Sequence, residues 1–243
     1  MKPMTIIRKT VLLLLFSLII PTSAGVYISI KEVTDPMTVY IINGCAMLAG
    51  CLFLLLIIQK SRFHLKEIGF QKGSLGMWVI PILLIEAIPF ITGLNTDLSL
   101  SSFTALCFFM VCVGIFEEGI FRGILFQYLK RINLSTAIWG SAVLFSLGHA
   151  ANLLSGKSLT LTVTQIIFAF LFGFVAAEIA ALTNSLQWVI IWHAVHNIVD
   201  QMTNGQTPME LQMLLLSIQC VILLVLAVVL WRYLRRKKVK YKQ

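Results

Sequence analysis

The chain has 243 residues, of which 58% are hydrophobic and 12% are charged, and its mean hydropathy is +0.92. Soluble domains carry about 25% charged residues, so this composition excludes an ordinary soluble domain and indicates a membrane protein. The net charge of +9 does not indicate nucleic-acid binding, because the basic residues flank apolar segments, where they orient a membrane protein. The five cysteines lie in apolar segments without a Cys-x-x-Cys pair, which argues against a disulfide framework or a zinc ribbon.

About twenty apolar residues cross a bilayer, and eight segments of the chain reach or approach that length. We therefore predict an all-α fold, a polytopic membrane helical bundle of about eight transmembrane helices, forming a single membrane domain over residues 1–243. The seventh segment is short and polar, which favours a helix shielded by the others. The predicted spans are residues 10–30, 37–58, 75–92, 101–129, 136–154, 159–179, 186–199 and 209–233.

The first span has two interpretations. Basic residues precede it, and Thr22-Ser23-Ala24, directly after Pro21, resembles a signal-peptide cleavage site. The segment is therefore either an uncleaved first helix, which is the interpretation adopted, or a signal peptide.

The distribution of lysine and arginine predicts the orientation. If the amino terminus is cytoplasmic, sixteen basic residues fall on the cytoplasmic side, and only Lys31 and Lys157 fall outside. This asymmetry predicts an even number of spans in the cell membrane, with both termini in the cytoplasm. The sixteen are Lys2, Arg8, Lys9, Lys60, Arg62, Lys66, Lys72, Lys130, Arg131, Arg232, Arg235, Arg236, Lys237, Lys238, Lys240 and Lys242.

Two carboxylates and a guanidinium interrupt the fourth apolar segment, at Glu117, Glu118 and Arg122. A charged group near the bilayer centre costs at least about 2.5–3.5 kcal/mol, so three together indicate either a functional site or a structural charge cluster between helices. Glu118 and Arg122 are four apart and share a helix face, which predicts an ion pair. Glu117 is rotated by about 100° and points elsewhere. We interpret Glu118 and Arg122 as supporting residues and Glu117 as the reactive one.

Three further polar residues are predicted at the same depth as Glu117. With a helical rise of about 1.5 Å per residue, and Ser135 as the expected N-cap of the fifth span, Glu117 and His149 both lie about 20 Å from the turn between their helices. His193 and Asn197 rise from the same side to about 12 and 18 Å. Either histidine alone is explained equally well by an interhelical hydrogen bond. Their common depth instead predicts one shared site.

This set of residue types suits the activation of water for attack on a carbonyl. A buried glutamate takes a proton from water, a histidine holds the water, and a His–Asn pair donates hydrogen bonds to the developing oxyanion. No serine or cysteine stands in a nucleophile motif. The same residue types also bind zinc, so Glu117, His149 and His193 are candidate metal ligands. His196 is a reserve ligand, because it points partly away from the face that His193 shares with Asn197.

Three short motifs lie complete and in order on successive predicted helices. They read Glu117-Glu118…Arg122, then Phe145…His149, then His193…Asn197. Together they resemble the signature of the membrane-embedded CAAX-protease and bacteriocin-processing family, also called the CPBP or Abi family. The resemblance covers residues 113–200, within a signature-bearing core of about residues 100–200.

The resemblance implies an intramembrane endopeptidase. Members of this family cleave prenylated proteins or process bacteriocin-like peptides and confer immunity to them. By analogy Glu117 is the general base, His149 binds the attacking water, and His193 with Asn197 forms the oxyanion site. Both a zinc-dependent and a metal-free mechanism have been argued for the family, and the metal-free one is slightly favoured here. We expect a bacterial protein whose partners are the lipid bilayer and a peptide or small membrane-protein substrate, with no nucleic acid.

Two other classes of function remain open from the sequence. One is a non-catalytic membrane protein that acts as an immunity or scaffold protein. The other is a proton-coupled transporter, in which Glu86 and Glu178 would join the histidines in a relay. We interpret these two glutamates instead as a pore-facing hydrogen-bonding residue and an interfacial residue, respectively.

Overall fold

A computed structural model describes residues 3–61, 63–95, 97–153, 158–203 and 207–240, with side chains from residue 6 to residue 236 of these ranges. The chain is 83% helical and the described ranges form no strand, which confirms the predicted all-α fold. Several basic residues used to predict the orientation are outside the description. They are Lys2, Arg62, Lys157 and Lys242, together with the side chains of Lys237, Lys238 and Lys240.

Eight helices account for the described chain, and each predicted span corresponds to one of them. They are α1 (Pro3–Ile30), α2 (Pro36–Lys60), α3 (Val79–Ala87, extended by a 3-10 turn at Ile88–Thr92), α4 (Leu100–Lys130), α5 (Leu134–Gly148, extended by a 3-10 turn at His149–Leu153), α6 (Leu159–Thr183), α7 (Gln187–Thr203) and α8 (Met209–Lys240).

Six of these helices are long and apolar enough to cross a membrane, which makes this a multi-pass membrane protein. The six are α1, α2, α4, α5, α6 and α8. Helix α3 with its 3-10 turn is apolar but shorter, and α7, with 17 residues, is not among the candidates. The eight helices of the described chain therefore agree with the prediction, but only six of them have the length and composition of a membrane span.

Side-chain caps define where several helices begin. The carboxylate of Asp35 accepts hydrogen bonds from the hydroxyl and the backbone N–H of Thr38 at the start of α2. The hydrogen bond from the Thr38 hydroxyl and, to a smaller extent, the one from its backbone N–H lower the pKa of Asp35. Helix α5 begins at an Asn133 cap, whose side chain accepts from the backbone N–H of Thr136 at 2.7 Å. The expected cap Ser135 was therefore wrong, because Asn133 already supplies the acceptor and the helix starts before Ser135.

Helix α4 lies inside the bundle and carries the acidic motif. It packs on α2, α5 and α7, and its residues Phe116 and Ile120 are completely buried. A Cβ added at Gly119 would lie 2.6 Å from Leu54 of α2, so the absence of a side chain permits the close approach of these helices. From Gly119 to Leu125 the helix adopts a π conformation, directly after the two glutamates. Such π segments often occur at functional sites.

Candidate active site

A buried ion pair supports the acidic motif from within α4. Nη1 of Arg122 donates to Oε1 of Glu118 at 2.8 Å, and both side chains are completely buried. The predicted pair is confirmed. It neutralises a carboxylate that would otherwise be very costly in this apolar interior.

His193 joins the same carboxylate from α7. Its Nδ1 lies 2.7 Å from Oε1 of Glu118, while its Nε2 lies 3.7 Å from Oε2 of Glu117. Because Glu118 is the acceptor for Arg122, the hydrogen of the first contact belongs to Nδ1. His193 is therefore held between the two glutamates, with Nε2 directed at Glu117.

The ring of Phe145 connects the charged network to both histidines of the motif set. The guanidinium of Arg122 lies 4.2 Å from the centre of this ring. The rings of His149 and His193 meet it edge to face at 5.2 and 5.8 Å. This central role was not foreseen from the sequence, although the motif Phe145…His149 was the signal that could have indicated it.

Space for the Arg122–Phe145 contact is provided by α6. A Cβ added at Gly173 would lie 2.7 Å from Nη2 of Arg122 and 3.1 Å from Phe145. The backbone of α6 thus approaches the guanidinium as closely as only glycine allows.

Glu117 and His149 line one open cavity of about 680 Å³. The carboxylate of Glu117 is not sealed in the core, since 24% of its side chain is exposed. Phe145 also lines this cavity. The buried His193 does not line it, and its Nε2 approaches the carboxylate of Glu117. Asn197 lies half-buried one turn beyond His193 and is not among the residues that line the cavity.

A second polar cluster ties α7 to α3. The carboxylate of Glu86 accepts from Nε1 of Trp192 at 2.8 Å and contacts Nδ1 of His196 at 3.1 and 3.2 Å. The ring of His196 is also stacked on Phe168 at 4.8 Å. His196 therefore points away from the Glu117 cavity. Glu86 forms hydrogen bonds, as the sequence predicted, but it is buried between helices and is not among the residues that line this cavity.

Glu178 of α6 differs from its predicted interfacial position. Its side chain is completely buried, and neither carboxylate oxygen has a hydrogen-bond partner among the described residues. The expectation was wrong because α6 is apolar over most of its circumference, so its sequence does not indicate which face is covered by other helices.

The zinc site that the sequence allowed stays a prediction. Within the described ranges, no three His, Cys, Asp or Glu side chains are arranged as ligands of one metal ion. In particular, Nδ1 of His193 is already engaged with Glu118.

Comparison with known proteins gives one family match. Residues 99–199 match the family model described as Rce1-like, type II CAAX prenyl endopeptidase Rce1-like. This segment is Rce1-like. The resemblance to the CPBP family is thereby confirmed, and the Rce1-like segment contains all three motifs together with Phe145. No curated protein and no solved structure matches the chain significantly.

The match has a direct consequence for the class of protein. An Rce1-like segment in a multi-pass membrane protein supports a protease of the CAAX type that acts within the membrane. The segment covers α4, α5, α6 and most of α7, which are the helices that carry Glu117, Phe145, Gly173 and His193.

Proposed function

We propose that this protein is an intramembrane endopeptidase that uses Glu117 to activate water. The observation that carries the proposal is the shared cavity, in which a partly exposed glutamate and His149 face the same open space. A carboxylate and an imidazole beside a cavity are the groups needed to move the protons of a hydrolysis. The Rce1-like match supports the same class of reaction.

The proposed reaction starts with a water molecule held between Glu117 and His149. Glu117 takes one proton from this water as the oxygen attacks the carbonyl carbon of the peptide bond. The new C–O bond gives a tetrahedral intermediate whose former carbonyl oxygen bears the negative charge. When the C–N bond breaks, the proton held by Glu117 passes to the leaving amine, with His149 hydrogen-bonding to it, and the C=O bond reforms as a carboxyl group.

By the family analogy, His193 and Asn197 are the proposed donors to the oxyanion, although neither is among the residues that line the cavity. With Nδ1–H donated to Glu118, His193 has its Nε2 directed at Glu117, and this nitrogen would donate to the oxyanion when it carries a hydrogen. Asn197 lies one turn further along α7 and would donate from its amide. One such donor is worth about 2.7–4 kcal/mol of transition-state stabilisation. Glu118 and Arg122 serve as positioning residues, because they hold His193 rather than the substrate.

The proposed substrate is a membrane-associated peptide or small membrane protein. The family description names a CAAX prenyl endopeptidase. Processing of a bacteriocin-like peptide or a signal peptide, or self-immunity, would use the same hydrolysis of a peptide bond. We further propose a bacterial cell-membrane protein with both termini in the cytoplasm, since the basic residues of the sequence are concentrated on one side.

Glu117→Gln tests the proposal, because it keeps the shape of the side chain and removes the base. The purified, detergent-solubilised variant should cleave a fluorescence-quenched farnesylated CAAX peptide, or its unlipidated form, at least about 100-fold more slowly. Glu178→Gln is the matched control, since Glu178 is buried and does not line the cavity. Peptidomics of cells expressing each form would identify the natural substrate.

The same variant separates catalysis from a non-catalytic immunity or scaffold function. If Glu117→Gln inserts stably and cells retain processing or immunity at the wild-type level, the peptidase proposal is refuted and the scaffold function is favoured.

A further inference from the structure

The first helix forms one wall of the proposed catalytic cavity. Half of the residues that line the cavity belong to α1, and among them are Ser17, Pro21, Gly25 and Ser29. These four are spaced four apart and lie on one helical face. We call this face the α1 wall. It lies outside residues 99–199, so the family match does not account for it.

Proline changes the hydrogen bonding of the α1 wall. Pro21 has no backbone N–H, so it cannot donate the helical hydrogen bond to the carbonyl of Ser17. The hydroxyl of Ser17 donates to the carbonyl of Leu14, so it does not compensate for the N–H that Pro21 lacks. Irregular backbone inside the membrane is tolerated where it lines a cavity. Ser17 and Pro21 both line this cavity. The Ser17 carbonyl thus lacks its usual helical donor, and Ser17 itself lines the cavity.

Glycine leaves space on the same wall. A Cβ added at Gly25 would meet no atom within 4 Å, and the same is true of Gly148 on the opposite wall next to His149. Both glycines therefore leave open space in the lining of the cavity.

We propose that α1 binds the substrate as an extended peptide and selects its side chains. The Ser17 carbonyl accepts a main-chain N–H of the substrate, and the space at Gly25 receives a substrate side chain close to the scissile bond. An extended peptide presents N–H groups and side chains in alternation, as this arrangement of acceptor and space requires. The inference rests on the proposed function, because it assigns the substrate path through the same cavity.

The size of the space at Gly25 provides the first test. Two fluorescence-quenched farnesylated CAAX peptides, identical except for Ala or Leu next to the prenylated cysteine, are cleaved by wild type and by Gly25→Leu. Gly25→Leu should favour the Ala peptide over the Leu peptide by about tenfold or more relative to wild type. Ser23→Leu is the control, because Ser23 is exposed on α1, bonds to the carbonyl of Ile19 and does not line the cavity. Equal effects of Gly25→Leu and Ser23→Leu would overturn the inference.

Pro21→Ala tests the free carbonyl. Alanine restores the N–H, so the helix should resist thermal unfolding better than wild type. At the same time KM should rise by about 2- to 10-fold with little change in kcat, because the Ser17 carbonyl is then occupied within the helix. A more stable variant with an unchanged KM contradicts the assigned acceptor.

A binding measurement distinguishes failure of this inference from failure of the proposed function. In a Glu117→Gln background, Gly25→Cys and Ser23→Cys are treated with the Leu peptide carrying a bromoacetyl group, whose bromide leaves as the C–S bond forms. Mass spectrometry then quantifies alkylation at each position, normalised to free bromoacetamide. We expect preferential labelling at position 25, and equal labelling overturns the α1 wall even if wild type cleaves the peptide. If wild type cleaves neither peptide, the proposed function fails while labelling at position 25 still decides the substrate path.

Discussion

Replacing Arg122 by methionine should destabilise the protein strongly. Glu118 and Arg122 are both completely buried, and the carboxylate oxygen that accepts from Arg122 also accepts from His193. Removing the cation leaves a buried carboxylate with only the imidazole as a partner. Breaking one side of a buried ion pair costs about 3–5 kcal/mol of the free energy of unfolding. Methionine retains much of the side-chain length, so loss of packing contributes less than loss of charge.

The double variant provides the discriminating measurement. In Glu118→Gln/Arg122→Met no buried charge remains in the pair, and neutral replacement of a buried pair is often tolerated. The double variant should therefore be more stable than the sum of the two single losses, with a coupling of at least about 2 kcal/mol.

Unfolding by sodium dodecyl sulfate in mixed micelles, followed by the fluorescence of the five tryptophans, gives these free energies. Arg236→Met is the control for a basic residue on an exposed position, and it should change stability by less than about 0.5 kcal/mol. If Arg122→Met costs no more than Arg236→Met, or if the single losses simply add, the pair does not support the site as described.

Three further predictions follow from other contacts. Gly173→Ala should cost about 1–3 kcal/mol of stability, because its methyl group would crowd the buried Arg122, while Gly148→Ala, which meets open space, should cost nothing in the same unfolding assay. Glu86→Ala should destabilise the protein by about 1–3 kcal/mol for each donor that loses its acceptor, which are Trp192 and His196. Peptide cleavage should remain measurable under stabilising conditions. Complete loss of activity in folded protein would contradict a purely structural role of this cluster. Dialysis against 1,10-phenanthroline should leave peptide cleavage unchanged, since the described side chains form no metal-ligand group, and loss of cleavage reversed by added Zn²⁺ would refute this expectation.

The sequence predicted the helices well because all but α7 are apolar segments bounded by polar residues and turns. It also predicted the Glu118–Arg122 pair, since residues four apart on one helix meet whatever the rest of the fold does. Contacts between helices were harder. The hydrogen bond between His193 and Glu118 depends on the rotation of α7 about its axis. Spacing along the chain does not determine this rotation.

The burial of individual residues was the other part that sequence reasoning could not supply. Most of these helices are apolar all round, so their sequences lack the amphipathic pattern that separates an inner from an outer face. Glu178 was misassigned for this reason. The α1 wall was also missed, although the polar or small residues Ser17, Pro21, Gly25 and Ser29 within an apolar helix were a visible signal.

The two histidines of α7 have a consequence for the biogenesis of the protein. This helix is too short and too polar to qualify as a membrane span, and its polar groups are satisfied by Glu118 on one side and Glu86 on the other. Isolated in lipid, α7 would expose these groups at a high energetic cost, so its insertion depends on α3 and α4 being in place. A partly assembled chain therefore lacks His193 beside Glu117, so the proposed hydrolytic activity requires the complete bundle.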